Sequence, residues 1–432
     1  MAIPSEVRMT TRRTLLKLGC VGAAALVNHP ATAAEDCRNT DDDLRELKAR
    51  VRNARLRPVS KLQSLTEPII IDRVEMLRRD DQFLVRAVCT EGVTGWALAN
   101  PGLMDSAFGI FANRVAPFFS GKDARDLEML LDEVFITDSN YKWQGLALWI
   151  CVARAELAIL DLIGKRAGQP VHALLGGKLR DFVGLYHANG DRNHSAQWVV
   201  EKLKESVAES GVRAVKFKLG ARMHYTDAST ARDHVLIPMV RKHFGDDMVI
   251  YADANSSYDV QTALKIGRIM EAHDYGFFEE PVQFDYLQET KEVADGVSIP
   301  IAGGEQESSL WRFEWLIANR ALQIVQPDLI YFGGLLRSLR VAAMAREAGI
   351  DIVPHISGSG LGSLYMAHFA SVVPNTTEYQ EYKGDPDKVP YEVTGQGGRF
   401  RAVDGRLAVP MTPGFGITFD PDYLSGLEPV RV

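Results

Sequence analysis

Charged residues follow short β-rich runs at regular intervals through the second half of this chain of 432 residues. One run ends in Lys216 and Lys218, and because strand side chains alternate, both lysines point to the same side. The next three runs end in carboxylates, Asp253, Glu279 and Glu305, each 26 residues after the one before. Converging carboxylates repel one another unless a cation lies among them, and a site with only oxygen ligands selects a hard ion. The pattern therefore predicts an Mg²⁺ site beside a pair of lysines.

Two later runs predict a pair of residues that transfers a proton. One run leads into Asp328 and the next into His355. If these runs are neighbouring strands, Asp328 can hydrogen-bond one imidazole nitrogen of His355 and hold its tautomer. The last run carries Glu378, with Glu381 further along the chain. A barrel would bring the end of this last strand to the same face as the others.

The runs themselves predict the fold. They number eight, and each gap between them is long enough for one helix, with runs at residues 183–188, 214–219, 249–252, 277–278, 299–302, 322–325, 351–354 and 376–379. Eight strand-and-helix units over about 200 residues favour an α/β (β/α)₈ barrel over an open doubly wound sheet. No Gly-x-Gly-x-x-Gly motif follows the first run, which removes the main support for a dinucleotide-binding fold. A barrel gathers the carboxyl ends of its strands at one face, where Lys218 and His355 would lie on opposite sides of the metal.

The remainder of the chain predicts further segments around the barrel, which we place at residues 177–400. Residues 67–176 read as an α+β capping domain that begins with a three-stranded antiparallel meander. Residues 34–66 are polar and charge-dense and predict a short helix or a loose arm. We expect residues 401–432 to return to the capping domain.

Residues 1–33 have the order of an export signal: a basic region, a short apolar run and an Ala-x-Ala cleavage site. The pair Arg12-Arg13 resembles the twin-arginine signal, whose pathway carries folded proteins. The apolar run is too short and too interrupted to be a permanent membrane span. We therefore expect a periplasmic protein that is free of the membrane in its mature form.

The composition excludes several classes of function. With 46% hydrophobic and 24% charged residues, the chain has the composition of an ordinary folded protein. Its 49 basic residues against 56 acidic ones give a formal net charge of −7, which offers no basic surface for nucleic acid. The four cysteines are too scattered to form a disulfide framework or a Cys-x-x-Cys metal site.

On these motifs the chain resembles the enolase superfamily, and within it the mandelate racemase subgroup, over residues 67–400. The resemblance implies Mg²⁺ as cofactor, a small-molecule carboxylate as substrate and a homo-oligomer. It implies a role for each motif: Lys216 and Lys218 as the Lys-x-Lys motif with Lys218 as the base, Asp253, Glu279 and Glu305 as metal ligands, His355 and Asp328 as the His–Asp dyad, and Glu378 as the last-strand acid. Glu307 and Glu381 remain alternatives to Glu305 and Glu378. Glu280 is expected to face away, because it neighbours Glu279.

These groups predict removal of the proton next to a carboxylate, with Mg²⁺ stabilising the enediolate that forms. His355 would then release a β-hydroxyl, which is dehydration, or return a proton to the other face, which is racemisation or epimerisation. Polar residues after the first strands, among them His187 and Asn189, favour a polyhydroxylated acid, and Asn255 is a further candidate for binding it. We therefore expect an acid-sugar dehydratase. A metal-dependent hydrolase and a non-catalytic barrel that only binds a ligand are the competing classes.

Overall fold

The computed structural model of the protein describes residues 32–99, 101–356, 360–384, 388–394 and 398–431. The predicted export signal lies outside the described residues except for its last two positions. Most of the predicted arm is helical, because helix α1 spans Thr32–Arg55. Among the helices that the structure describes, none is both long and apolar enough to cross a membrane.

The capping region begins with the antiparallel meander that the sequence predicts, formed by β1 (Ile71–Arg79), β2 (Gln82–Cys89) and β3 (Thr94–Ala99). One face of this sheet packs against helix α5 (Leu146–Ala167), and the contact requires a glycine, since a Cβ on Gly95 would lie 2.1 Å from the carbonyl oxygen of Ala158. The helices of this region are α2 (Pro101–Ile110), α3 (Ala116–Phe119), α4 (Leu127–Ile136), α5 (Leu146–Ala167) and α6 (Val171–Leu174).

In the part of the chain that the structure describes, eight parallel strands then form the barrel, which confirms the predicted fold class. The strands are β4 (Phe182–Ala188), β5 (Ala214–Lys218), β6 (Val249–Asp253), β7 (Phe277–Glu279), β8 (Ile301–Gly303), β9 (Ile324–Val325), β10 (Asp351–Ile352) and β11 (Tyr379–Tyr382). From β4 to β10 each strand pairs with the next, and β11 pairs with β4. The ring closes where the Ile352 amide donates to the carbonyl of Asn375, at 3.0 Å, just before β11.

Seven helices connect successive barrel strands and cover the outside of the sheet: α7 (Ala196–Ser210), α8 (Asp227–Phe244), α9 (Val260–Ala272), α10 (Leu287–Gly296), α11 (Leu310–Ala318), α12 (Leu335–Glu347) and α13 (Leu361–Val372). The barrel interior is filled by side chains, among which Tyr251 and Phe277 stack with ring centroids 3.9 Å apart. Because the strands are parallel, the polar residues at their carboxyl ends share one face of the barrel, next to this apolar layer.

The C-terminal segment contains β12 (Tyr391–Val393), β13 (Arg406–Ala408), β14 (Ile417–Phe419), α14 (Pro421–Ser425) and β15 (Glu428–Pro429). β13 pairs with β4 of the barrel, whereas β15 pairs with β1 of the capping sheet. Helix α5 joins the same regions, because the Glu156 carboxylate accepts hydrogen bonds from the amides of Leu335 and Leu336 at 2.9 and 2.7 Å. The capping region and the barrel are therefore joined by the C-terminal segment and by α5.

Candidate active site

The two lysines of β5 enter one cluster but have different surroundings. Lys216 is buried, with Nζ 2.7 and 2.9 Å from the two carboxylate oxygens of Glu279 and 3.1 Å from Oε1 of Glu381. Burial lowers the pKa of Lys216, but Glu279 and Glu381 hold that pKa well above its usual value. Lys218 contacts Asp253, and its side chain keeps 12% exposure against 1% for Lys216. Lys216 is thus a fixed cation, whereas Lys218 is open to a substrate.

Asp253, Glu279 and Glu305 converge at the ends of β6, β7 and β8, with one oxygen of each within 4.8 Å of the others. All three side chains are buried. Burial and the neighbouring Asp253 carboxylate raise the pKa of Glu279 to about 7. Burial acts in the same direction on Asp253, but Lys218 and Lys216 outweigh it and lower that pKa to about 2. A buried cluster of three carboxylate oxygens suits a hard divalent cation, which would remove the repulsion among them.

The alternative ligand Glu307 lies outside this group. Its Oε1 accepts a hydrogen bond from Nε of Arg312 at 2.9 Å. Burial raises the pKa of Glu307 to about 7, and Arg312 acts against that shift. Within the described residues the geometry therefore assigns the third position of the cluster to Glu305.

Asp328 and His355 face each other across the ends of β9 and β10. Oδ2 of Asp328 lies 2.5 Å from Nδ1 of His355, which leaves Nε2 pointing towards the carboxylates, 3.2 Å from Oε2 of Glu305. Burial lowers the pKa of His355, but Glu305, Glu381 and Asp328 together raise it above the ordinary histidine value. The imidazole is therefore held in one orientation and favoured in its protonated form.

Glu381, and not Glu378, lies in this cluster, so the prediction for Glu378 is wrong. β11 spans Tyr379–Tyr382, three residues later than the predicted run. Glu378 therefore precedes the strand and lies exposed at the opposite end of the barrel. Glu381 is buried between Lys216 and His355, with Oε2 3.6 Å from Nε2 of His355. Burial raises the pKa of Glu381, but Lys216 leads the charges that hold it well below its usual range.

Glu280 also lies with the cluster, although the sequence predicts that it faces away. β7 ends at Glu279, and Glu280 has a φ of 40°, so the alternation of strand side chains no longer applies to it. Asn255 joins Glu280 to the predicted ligands: its Nδ2 lies 3.5 Å from Oε2 of Glu280 and 3.4 Å from Oε1 of Glu305. Its backbone amide donates to Asp253 at 2.6 Å. Asn255 therefore lies beside the predicted metal ligands, and its role in binding substrate stays a prediction.

The two other predicted substrate-binding residues have different surroundings. In β4 it is Tyr186 that enters the barrel interior, with its ring centroid 5.3 Å from Nζ of Lys216. The next side chain, His187, points towards the helix layer, where burial lowers its pKa against the opposing charge of Glu209 on α7. Asn189 uses its side chain in the turn after β4, since its Oδ1 accepts from the Asp191 amide at 2.7 Å. The prediction that His187 and Asn189 bind substrate is not supported by these positions.

Two polar neighbours complete the cluster. Gln326 precedes Asp328 by two residues, and its Nε2 donates to Oε2 of Glu279 at 2.9 Å. Lys383 follows Glu381 by two residues, and its Nζ lies 3.2 Å from Nε2 of His355. Lys383 is not among the residues predicted from the sequence, although its spacing from Glu381 is the one that places two strand residues on the same side.

Comparisons with known proteins agree with this geometry. A family model described as "Enolase C-terminal domain-like" matches residues 198–423. The model "Mandelate racemase / muconate lactonizing enzyme, N-terminal domain" matches residues 55–176. The first match covers more than half of the chain, and the second covers the capping domain.

Named relatives extend over most of the chain. An arabinonate dehydratase from Saccharolobus solfataricus is 31% identical over 307 residues, covering 70% of this chain and 78% of the relative. A D-galactarolactone cycloisomerase from Agrobacterium fabrum is 27% identical over 350 residues, covering 79% and 90%.

A solved structure is also similar, that of a mandelate racemase/muconate lactonizing protein from Paracoccus denitrificans PD1222 complexed with magnesium. It has a TM-score of 0.76 and 30% identity, and the match covers 84% of this chain and 99% of that one. Domain matches, relatives and site agree: the chain is an enzyme of the mandelate racemase / muconate lactonizing enzyme family, within the enolase superfamily.

Proposed function

We propose that the protein catalyses the Mg²⁺-dependent dehydration of an acid sugar to a 2-keto-3-deoxy acid. The observation that supports this proposal most directly is the arrangement of the site. Lys218 lies at one side of the three buried carboxylates, and His355, which is hydrogen-bonded to Asp328, lies at the other. In this reaction the α-proton and the β-hydroxyl leave together as water, and the resulting enol becomes the keto group. The site supplies one group for each of these two departures.

Lys218 is the group that removes the α-proton. It is the exposed member of the lysine pair, so it can meet a substrate, whereas Lys216 is enclosed by Glu279 and Glu381. Lys216 instead holds a fixed positive charge beside the carboxyl group that becomes an enediolate. Mg²⁺, held by Asp253, Glu279 and Glu305, would supply the Lewis acidity that makes the α-proton removable.

His355 is the group that assists the leaving hydroxyl. Asp328 holds Nδ1 of His355 and stabilises a protonated imidazole, and Nε2 faces the cluster, where it can give a proton to the leaving hydroxyl. Glu381 is ionised, because the pKa of its carboxyl is held low by Lys216 against the effect of burial. It therefore accepts hydrogen bonds and orients its neighbours, and does not donate to the substrate. Lys218 and His355, acting on opposite faces of the substrate, would also suit a racemase or an epimerase.

A screen of acid sugars with Mg²⁺, read out as 2-keto product, tests the proposal. The Lys218→Ala variant should lose both turnover and exchange of the α-proton in deuterated water, followed by NMR. The His355→Asn variant should lose turnover but keep exchange, because it lacks only the acid for the leaving hydroxyl. Glu378→Gln, at the other end of the barrel, is the matched control. Inversion at the α-carbon without any keto product would make the protein a racemase, and a requirement for stoichiometric Zn²⁺ would favour a hydrolase.

We also propose that the protein is exported to the periplasm. The support is the order of basic, apolar and small residues in positions 1–33, with the consecutive pair Arg12-Arg13. Replacing both arginines by lysine should leave the protein in the cytoplasm on cell fractionation. Unchanged delivery of that variant to the periplasm contradicts the proposal.

A further inference from the structure

Arg192 lies beside the carboxylate cluster. It follows β4 and His355 follows β10, and in the strand order the three strands that carry the carboxylates, β6 to β8, lie between them. Arg192 comes after the turn that Asn189 and Asp191 form with each other. Its Nη2 donates to Oδ1 of Asn255, and its Nε lies 3.4 Å from the carbonyl of Leu219. Because Asn255 itself contacts Asp253 and Glu305, only one side chain separates the guanidinium from the predicted metal ligands.

In the described part of the chain, Arg192 has no carboxylate in direct contact, although the charges of Asp253 and Glu305 act on it from nearby. Its side chain is half-buried, yet among the described residues it forms no ion pair, and its Nη1 makes no hydrogen bond. Its hydrogen bonds go to an amide and a carbonyl oxygen, which are neutral acceptors. Removing a cation from water without a counter-ion is costly, and a planar guanidinium matches a carboxylate with two parallel hydrogen bonds. The free side of Arg192 is therefore suited to an anionic group of a ligand.

The other cations of the site already have carboxylate partners. Lys216 is paired with Glu279 and Lys218 with Asp253. Lys383, at the far side next to His355, is 3.3 Å from Oε2 of Glu381 and 3.1 Å from the carbonyl of Ile356. Among the described cations that contact the cluster, Arg192 thus lacks a carboxylate in direct contact. The neighbouring Arg222, whose charge also acts on Arg192, is exposed and contacts Ser257 through its backbone amide.

We propose that Arg192 binds a second carboxylate of the substrate, so that the enzyme prefers acid sugars with a carboxylate at each end over those with one. This inference rests on the proposed function, in which the first carboxylate lies at Asp253, Glu279 and Glu305. Asn255 separates that position from Arg192, so the guanidinium meets a different part of the ligand. The substrate class is therefore an aldarate, and an aldonate lacks the group that Arg192 is placed to bind.

Binding to a protein that cannot turn over tests this inference separately from catalysis. In a Lys218→Ala background with Mg²⁺, calorimetry would compare pairs of six-carbon aldarates and aldonates of matching stereochemistry, such as galactarate with galactonate and glucarate with gluconate. For at least one pair we expect the aldarate to bind about 10- to 100-fold more tightly, the range for a hydrogen-bonded charge pair. Arg192→Gln should remove this difference and change aldonate binding by less than about threefold.

Three further variants test whether the preference for the aldarate depends on the guanidinium group of Arg192. Arg192→Lys, which keeps the charge but not the fork, should retain part of the preference. Arg406→Gln removes the same charge from an exposed position on β13, outside the cluster, and should change nothing. Lys383→Gln should keep the preference for the aldarate.

The outcomes are distinct. If Arg192→Gln weakens aldarate binding and aldonate binding equally, Arg192 only positions Asn255, and the inference is overturned. A preference that depends on Lys383, or no preference in any pair, would overturn it as well. Aldarate binding that depends on Arg192, with no keto product from the wild-type enzyme, would overturn the proposed reaction and leave the assignment of Arg192 standing.

Discussion

Asp328 holds His355 with one carboxylate oxygen while its other oxygen is held by the backbone. Oδ2 lies 2.5 Å from Nδ1 of His355, and Oδ1 accepts from the amides of Ile330 and Tyr331, each at 2.7 Å. The backbone reinforces the pair, since the His355 amide donates to the carbonyl of Pro327 at 3.2 Å. The carboxylate therefore has little freedom to rotate, and Nε2 of His355 remains directed at the cluster.

Replacing Asp328 with asparagine should lower turnover by about 10²- to 10⁴-fold, because the amide no longer stabilises a protonated imidazole. Mg²⁺ affinity and exchange of the α-proton in deuterated water should stay close to wild type, since Lys218 and the three ligands are untouched. Steady-state kinetics and NMR measure the two effects. Loss of exchange together with turnover would show that His355, and not Lys218, removes the α-proton.

Glu305→Gln should weaken Mg²⁺ binding by at least about 100-fold, more than the loss of an outer hydrogen-bond partner causes. Glu307→Gln, two residues away, should change it by less than about threefold, because Glu307 is turned to Arg312. Calorimetric titration of the metal into both variants distinguishes them. A larger loss in the Glu307 variant would reverse the assignment of the third ligand.

Glu381→Gln should reduce turnover by at least about 100-fold, because it leaves Lys216 and His355 with one less negative neighbour in a buried site. Glu378→Gln should remain within about twofold of wild type, since that side chain is exposed. Turnover is measured with melting temperature as a check on folding. Equal activities of the two variants would remove Glu381 from the reaction.

His368 of α13 should make the fold sensitive to acid. Its Nδ1 accepts from the His172 amide and its Nε2 donates to the Phe415 carbonyl, both at 3.2 Å, and burial lowers its pKa from 6.5 to about 3. Below pH 6.5 the unfolded chain therefore binds a proton at His368 that the folded chain does not bind. Stability from this group is complete above pH 6.5 and falls by about 1.4 kcal/mol per unit as the pH drops towards 3.

Urea unfolding between pH 7 and pH 4.5, with a chelator present, measures this slope. The His368→Gln variant takes up no proton at this position and should show a shallower dependence than wild type, even if it is less stable throughout. His234→Gln, which changes an exposed histidine of α8, is the control and should keep the wild-type slope. Parallel curves for wild type and His368→Gln would contradict the prediction.

The amino-acid sequence by itself determined the barrel, its capping meander and the residues at most strand ends. This information is local: a β-rich run, a following charge and the alternation of strand side chains suffice to predict which side Lys216 and Lys218 share. The regular spacing of Asp253, Glu279 and Glu305 indicated one carboxylate at the end of each of three successive runs. Parallel strands then bring those residues to one face.

The tertiary structure decided what depends on strand register and on the positions where strands end. The last strand begins three residues later than its β-rich run predicts, and its pairing with β4 through Tyr379–Tyr382 puts Glu381, not Glu378, in the site. A shift by an odd number of residues reverses the two faces of a strand, and only closure of the barrel sets that register.

The same reason explains the remaining differences. Glu280 turns inward because β7 ends before it, and His187 turns outward because Tyr186 fills the barrel interior. Arg192 is one of several polar residues after β4 in the sequence, and its lack of a carboxylate in direct contact among the described residues is visible only in the folded structure. Neither the end of a strand nor the absence of a counter-ion is a property of a residue and its neighbours in sequence, because both are set by distant segments that the fold brings together.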